Sequence, residues 1–391
     1  MRIKFTSFLF FIAYISLAQS KEFLILDSLS KKPIDLVQVF YPDIEVGSVS
    51  NADGKIKIPL KNNRIVVSHI NYIESVFIFE DFKNKDTLLL TRKANQLDEI
   101  VLYNLDLKQK FIDILENGLS KKYSTKKVIR NATYKESFSV NDSLTRLFQV
   151  QLDWYSKNSL FKTDITIEKE NKITLQSIDF SKIKEIKKDF VDSNSGHVEN
   201  KSFFKFLHLD FLLQYILVNS AKDYEIEVIE KNKNTINVYF NATCIQNGKN
   251  IFNLKNSLIV FDKDYKSIKN LKLNMVYNSD FKDATTKRTK KPYKIKMKSH
   301  TIELSFNKMK NNKYGISYSI SQMNGVIKTK RYINGFRAKQ SLFINESKLG
   351  EKIKKGNIDF NKPFYENIPS NLKKTSEKIL LTEKEKLFIK S

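Results

Sequence analysis

The sequence predicts a mainly β chain in two parts: a small N-terminal β-sandwich, then a larger curved antiparallel sheet with a few helices. Three observations predict it. Aromatic residues make up 12% of the chain against only ten Gly and six Pro, which suits packed β structure better than low-complexity sequence. Short runs of alternating apolar and polar residues recur between turn residues, the period-2 signature of half-buried strands. The 391 residues, 41% hydrophobic and 28% charged, are enough to build cores for two ordinary domains.

The chain opens MRIKFTSFLFFIAYISLAQS. Arg2 and Lys4 precede an apolar run over residues 8–17, and Ser16, Ala18 and Ser20 are small. This order predicts a secretory signal peptide over residues 1–20, cleaved after Ala18 or Ser20. The apolar run is short for a bilayer span. No Cys lies near the cut, so a lipid-anchored terminus is not expected. The sole Cys, Cys244, cannot form an internal disulfide or anchor a thiolate-built metal site. Within a strand-like segment it reads as a small buried hydrophobe.

Residues 21–95 contain short strands at close spacing. FLIL at 23–26 is the first, followed by a turn through Pro33. VQVFY at 37–41 and KIKI at 55–58 alternate, and Asn51-Ala52-Asp53-Gly54 is a tight turn whose Gly tolerates positive φ. IVVSH at 65–69 and TLLL at 87–90 complete a sandwich whose expected core includes Val37, Val39, Ile56, Ile58, Val66 and Leu89.

The ordered set DSLSKKPIDLVQV, GSVSNADGKIKI, VVSHINY and LDEIVL resembles the carboxypeptidase-regulatory-like domain found at the N-termini of Bacteroidetes-type envelope proteins and TonB-dependent receptors. The resemblance covers roughly residues 21–103. It implies a seven-stranded, transthyretin-like β-sandwich, exported to the periplasm or associated with the outer membrane. It does not imply peptidase activity, because in that family the domain is an accessory. Where the family has Gly before the aromatic, this chain has Asn71 before Tyr72, and Asn is the next best residue for a left-handed backbone.

A linker is expected over 96–104. Leu107, Phe111, Ile114, Leu115 and Leu119 recur at helical spacing, so 105–122 reads as an amphipathic helix weakened by Gly118. Strands are expected at 147–155, 165–168, 226–229, 235–242, 256–261, 268–277, 301–307 and 315–321. Residues 202–218 are apolar on nearly all sides and predict a buried helix plugging the sheet. The β-rich domain is expected over 105–370 and a charged helical tail over 371–391. The rhythm of INVYF at 236–240, SLIVFD at 257–262 and SIKNL at 267–271 is similar to the strands of half-barrel envelope proteins related to lipoprotein carriers. There a curved sheet wraps a helix or an acyl chain.

The sequence holds little recognisable chemistry. The four His residues, His69, His197, His208 and His300, form no H-E-x-x-H. His300 and Glu303 match an H-x-x-E spacing, but on a strand positions i and i+3 face opposite sides. His197 and Glu199 form an H-x-E in a polar loop. Catalytic zinc needs three converging protein ligands, so neither metal nor cofactor is expected, and no catalytic residue is selected. The net charge is +25, yet Lys, Asn and Ile are over-used together, and the Lys residues are scattered. That pattern reads as coding bias, and no nucleic-acid partner is expected. One dense cluster stands out: Lys287, Arg288, Lys290, Lys291 and Lys294. It is the candidate contact for anionic lipid headgroups, including the inner leaflet of an outer membrane, or for lipopolysaccharide phosphates, or else a solvated loop. The expectation is a non-enzymatic envelope protein with a protein or lipid partner. Its sandwich would be an interaction module and its second domain a scaffold or a lipid- or ligand-groove binder. The alternatives are a small outer-membrane β-barrel and a hydrolase with an unrecognised site.

Overall fold

The computed structural model describes residues 20–93, 105–124, 127–156, 167–184, 200–232, 234–285, 290–349, 353 and 356–391. The expected signal peptide up to residue 19, the linker at 96–104, the His197/Glu199 pair, Lys287 and Arg288 lie outside them. The chain is mainly β, and it divides into two compact units. One comprises Met1–Lys93 and Lys378–Thr382; the other comprises Ala94–Glu377 and Glu383–Ser391. A short piece of the late chain, Lys378–Thr382, belongs to the first unit, so the expected tail does not form one element.

The first unit contains β1 (Ser20–Asp27), β2 (Gln38–Tyr41), β3 (Val46–Val49), β4 (Lys55–Pro59), β5 (Ile65–His69), β6 (Tyr72–Phe77), helix α1 (Phe79–Lys83) and β7 (Thr87–Leu90). The seven strands form two sheets, β4-β1-β7 and β3-β2-β5-β6. β1 runs antiparallel to β4 and parallel to β7. Phe23, Ile25, Val37, Val39, Ile56 and Ile58 fill the space between the sheets, as period 2 predicts. Two of the expected core residues are corrected. Val66 is half-buried and Leu89 is 52% exposed, while Ile65, Val67, Leu88 and Leu90 point inward. In the runs IVV and LLL alternation carries no phase. The phase comes from pairing: β1 sets Ile25 opposite Leu88 and Asp27 opposite Leu90.

Three turns fix this unit. Gly54 has φ +73°, and a Cβ there would lie 2.5 Å from the Ile25 carbonyl oxygen, so only Gly fits. The Asn51 side chain accepts from the N–H groups of Asp53 and Lys55 at 3.0 Å. Its amide donates to the carbonyls of Leu380 and Leu381 at 3.2 and 3.1 Å, which holds the late segment on the sandwich. Asp27 accepts from the Ser30 N–H, the Tyr72 hydroxyl and Arg92 Nε at 2.8, 2.8 and 2.6 Å. Arg92 above all, then the Ser30 N–H, holds its carboxyl well below the usual carboxylate range. Asn71 does not take the left-handed backbone expected of it. The turn closes instead through the Asn71 N–H to His69 Nδ1 and the Lys93 N–H to the Asn71 carbonyl, both 3.1 Å.

The second unit begins with α2 (Leu107–Asp113), capped by Asp106, whose carboxylate accepts the Gln109 N–H at 2.9 Å. It continues through a π-helical turn, Ile114–Gly118, into α3 (Leu119–Lys122). Gly118 is not a weakness of this helix, because a Cβ there would lie 2.9 Å from the Lys266 carbonyl oxygen. Next come β8 (Val128–Val140), β9 (Ser143–Ser156), α4 (Ile167–Glu170), β10 (Asn171–Ile183), α5 (Asn200–Phe206), α6 (Leu209–Phe211) and a π-helical segment, Leu212–Ser220. The expected strand at 165–168 is corrected, since Ile167 and Glu168 lie in α4. The remaining strands are β11 (Ala221–Asn232), β12 (Thr235–Gln246), β13 (Lys249–Asp262), β14 (Ile268–Val276), β15 (Lys282–Thr285), β16 (Pro292–Lys308), β17 (Tyr314–Lys328) and β18 (Ile333–Leu349). A 3-10 turn, Phe364–Asn367, and helix α7 (Glu383–Lys390) end the chain. The helical tail expected over 371–391 is therefore helical only in α7.

The sheet runs β11-β12-β13-β14-β16-β17-β18-β8-β9-β10, antiparallel throughout, with β15 paired to the start of β16. It is a curved half-barrel. Register shifts in most of the ladders, such as Leu175/Ser177, Phe240/Ala242 and Met297/Ser299, supply the bends that curve it. β10 and β11 are opposite edges, so the connection between them must travel the width of the sheet. Its described part is α5, α6 and the π segment, whose Phe203, Phe204, Leu207, Leu212, Leu213 and Leu217 are fully buried with the inner-face strand residues. This is why residues 202–218 are apolar on nearly all sides, with Lys205 and Tyr215 left exposed. The α2–α3 segment packs on the same core, anchored by the buried Tyr123 hydroxyl, which donates to the Ile268 carbonyl at 2.6 Å and accepts its N–H at 2.7 Å.

Candidate functional site

Polar side chains gather at three places in the second unit. The first is a belt across the inner face, built from cross-strand neighbours. On β17 Ser321 accepts or donates one bond with His300 Nε2 at 2.8 Å, and the register sets Gln340 of β18 opposite Ser321. Gln340 donates to the Tyr134 hydroxyl at 2.7 Å, and that hydroxyl donates to Glu136 at 3.0 Å. Arg146 on β9 closes the row, with Nη2 2.7 Å from the same carboxylate. Glu136 and Arg146 are both buried. Phe364 stacks on Tyr134 at 4.0 Å, and Arg146 lies between the rings of Phe138 and Tyr365 at 5.2 and 4.8 Å. Desolvation first, then the Glu136 charge, pushes the Tyr134 hydroxyl well above its ordinary value, so it stays protonated and donates. The belt thus pairs its charges internally beneath an aromatic lid. Such an arrangement fixes register across β16, β17, β18, β8 and β9 and presents no exposed acid or base.

The second place surrounds Trp154. Arg130 lies over its ring at 4.8 Å, and the indole N–H donates to Asn171 Oδ1 at 2.7 Å. Asn171 Nδ2 donates to the Ile167 carbonyl at 3.0 Å and lies 3.5 Å from His208 Nε2. Burial, then the Arg130 charge, pushes His208 down to about 4, so it is neutral at pH 7. Burial alone pushes His300 to about 4 as well. Among the described residues no three His, Cys, Asp or Glu side chains stand close enough to hold a metal ion. His300 and Glu303 are splayed as the strand reading requires. His300 shares a row with Met323, while Glu303 shares one with Ile320 and accepts the Tyr318 hydroxyl. Cys244 is fully buried on β12, where desolvation pushes its thiol up to about 12.

The third place is the end of the sheet where three hairpins meet. The β15–β16 ladder brings Lys294 3.6 Å from Asp283, and the β16–β17 ladder sets it directly opposite Lys328. Lys290, Lys291 and Lys294 are exposed, with Lys290 at φ +53°. The β17–β18 turn carries Lys328, Lys330, Arg331, Tyr332 and Ile333, all exposed. The β8–β9 turn abuts it, with Asn141 Nδ2 donating to Asn334 Oδ1 at 2.8 Å and Arg337 Nη2 3.2 Å from Asp142. The described members of the basic cluster thus join cations more than thirty residues later in the chain. Sequence reasoning missed the second group, because neither the far end of β17 nor β18 was expected and KTKRYI was not seen as a turn.

No protein-family model matches the sequence, and no curated protein matches it.

Proposed function

We propose that this chain is an exported, non-enzymatic envelope protein whose sandwich is an interaction module and whose half-barrel is a rigid scaffold. The observation that carries the reading is the occupied inner face. A curved sheet that binds an acyl chain or a substrate needs that face open, and here the chain's own helices fill it. Each buried Leu or Phe contributes about 1.5–3 kcal/mol, so withdrawing six of them would cost as much as a whole domain's stability. The scaffold reading is therefore preferred to the groove reading. The belt supports it too, since its acid and base are spent on each other. The envelope location rests on the charged, apolar and small-residue order of the first twenty positions.

Fractionation of native cells with N-terminal sequencing tests this. The expected result is a mature chain starting at Gln19 or Lys21 in the envelope fraction. An intact Met1 in the cytoplasm refutes export. Solvent extraction and elemental analysis of the untagged protein should find neither stoichiometric lipid nor zinc. One equivalent of bound lipid would return the groove reading.

A further inference from the structure

We infer that the β17–β18 hairpin end docks on an anionic lipid surface, with Tyr332 and Ile333 entering the headgroup layer and the surrounding cations lying on the phosphates. The inference rests on the envelope reading and adds to it a surface and an orientation. Tyr332 and Ile333 are 47% and 65% exposed, adjacent, and at the extreme of a hairpin. An exposed aromatic and aliphatic pair on its own is ordinary surface. This pair is flanked by Lys328, Lys330 and Arg331, and the register places Lys294 beside Lys328. Like charges directly opposite on neighbouring strands repel, and a negative surface relieves that repulsion. An amphipathic ring at headgroup level with basic residues around it matches the composition of membrane interfaces.

The tip is also preformed. The Thr329 N–H donates to the Tyr332 carbonyl at 2.8 Å, and the Thr329 hydroxyl accepts the Tyr332 N–H at 3.0 Å and the Arg331 N–H at 3.3 Å. Little ordering remains to be done on docking. Two acids that the ladders bring beside this end, Asp283 and Asp142, face Lys294 and Arg337. The aromatic tip itself is bordered by cations.

The chain's one Trp, Trp154, is fully buried, so a second Trp reports on its own surroundings. The full chain carrying Tyr332→Trp is titrated with vesicles of equal parts phosphatidylglycerol and phosphatidylcholine, and with phosphatidylcholine alone. The expected result is a blue shift with the anionic vesicles only, weakened by salt. In co-sedimentation, the combined Lys328→Gln, Lys330→Gln, Arg331→Gln variant should lose roughly a hundredfold in affinity. Tyr332→Ser with Ile333→Ser should lose roughly tenfold or more. The same three neutralisations at Lys222, Lys249 and Lys263, exposed on or beside strands near the other edge, should change binding little. All variants keep residues 8–17, so differences report the hairpin. An unshifted emission, a tip variant that binds like wild type, or an equal loss in the distal variant would each overturn the inference. These outcomes are separate from fractionation, which tests export.

Discussion

Lowering the pH from 7.5 to 4 should unload the half-barrel through its two buried histidines. His208 and His300 are 2% and 4% exposed, and burial holds both at about 4, against an ordinary value of 6.5. Arg130 and Asn171 lie beside His208, and Ser321 and Phe206 lie beside His300. The sign follows from proton uptake. Below pH 6.5 the unfolded chain protonates both rings, while the folded chain resists until about 4. Stability is therefore fully present above 6.5, falls between 6.5 and 4, and is flat in this contribution below 4. At ~1.4 kcal/mol per pH unit, each histidine removes about 3.5 kcal/mol over that window. Together they approach the total stability of an ordinary domain, about 5–15 kcal/mol. Urea unfolding followed by Trp154 emission at closely spaced pH values measures it, and Trp154 sits in the same unit as both rings. His208→Gln with His300→Gln should flatten the slope between 6.5 and 4. A wild-type slope near zero in that window, or an unchanged slope in the double variant, would refute the reasoning.

Val39→Asp should unfold the sandwich, because an unpaired carboxylate at a fully buried site costs several kcal/mol, whereas Leu89→Asp, half-exposed, should melt like wild type by circular dichroism. Arg146→Met alone should cost about 3–5 kcal/mol by leaving Glu136 buried without its partner; adding Glu136→Leu should recover much of that in chemical denaturation. Gly54→Ala should lower the melting temperature, since φ +73° and the 2.5 Å approach to the Ile25 carbonyl together cost more than ~1 kcal/mol.

The architecture was legible where pattern and burial coincide. Lys55 to Ile58 alternates in sequence and in burial, and residues 202–218 are apolar on nearly all sides because most of them, from Phe203 to Leu217, are buried, with Lys205 and Tyr215 exposed. Phase was illegible where a run is uniformly apolar, as at Leu88-Leu89-Leu90, because only the parallel partner β1 sets it. β8 and β18 were missed for the opposite reason. Their buried positions include Arg130, Thr133, Glu136, Gln340 and Asn345, so the polar belt itself erased the alternation by which strands are recognised. The basic cluster was visible, but its partner hairpin was not, since Lys294 and Lys328 meet only through the β16–β17 ladder.

An open half-barrel must also blunt two edges, and the two are handled differently. β10 is covered by the late chain. The Asn357 N–H donates to the Ile173 carbonyl at 2.8 Å, and Asn357 Oδ1 accepts the Leu175 N–H at 2.9 Å. Further along, the Ile178 N–H donates to the Lys373 carbonyl and its own carbonyl accepts the Thr375 N–H, at 2.9 and 3.0 Å. α7 then lies beyond, tied by Lys135 to Glu385 at 2.7 Å. β11 has no such cover among the described residues. It relies on two register shifts, on Asp223 at φ +50°, and on Glu225 and Glu227 held by Asn241. Bulges and charge of this kind discourage pairing with another strand. A sheet selected to close on itself or to take a guest strand would leave its edges straight and bare. These edges are instead one covered and one broken, while the inner face is filled. With edges and inner face occupied, a partner of this sheet is met on its outer surface or its hairpin ends, and among the described residues the hairpin end bearing Tyr332 sets an exposed ring among cations.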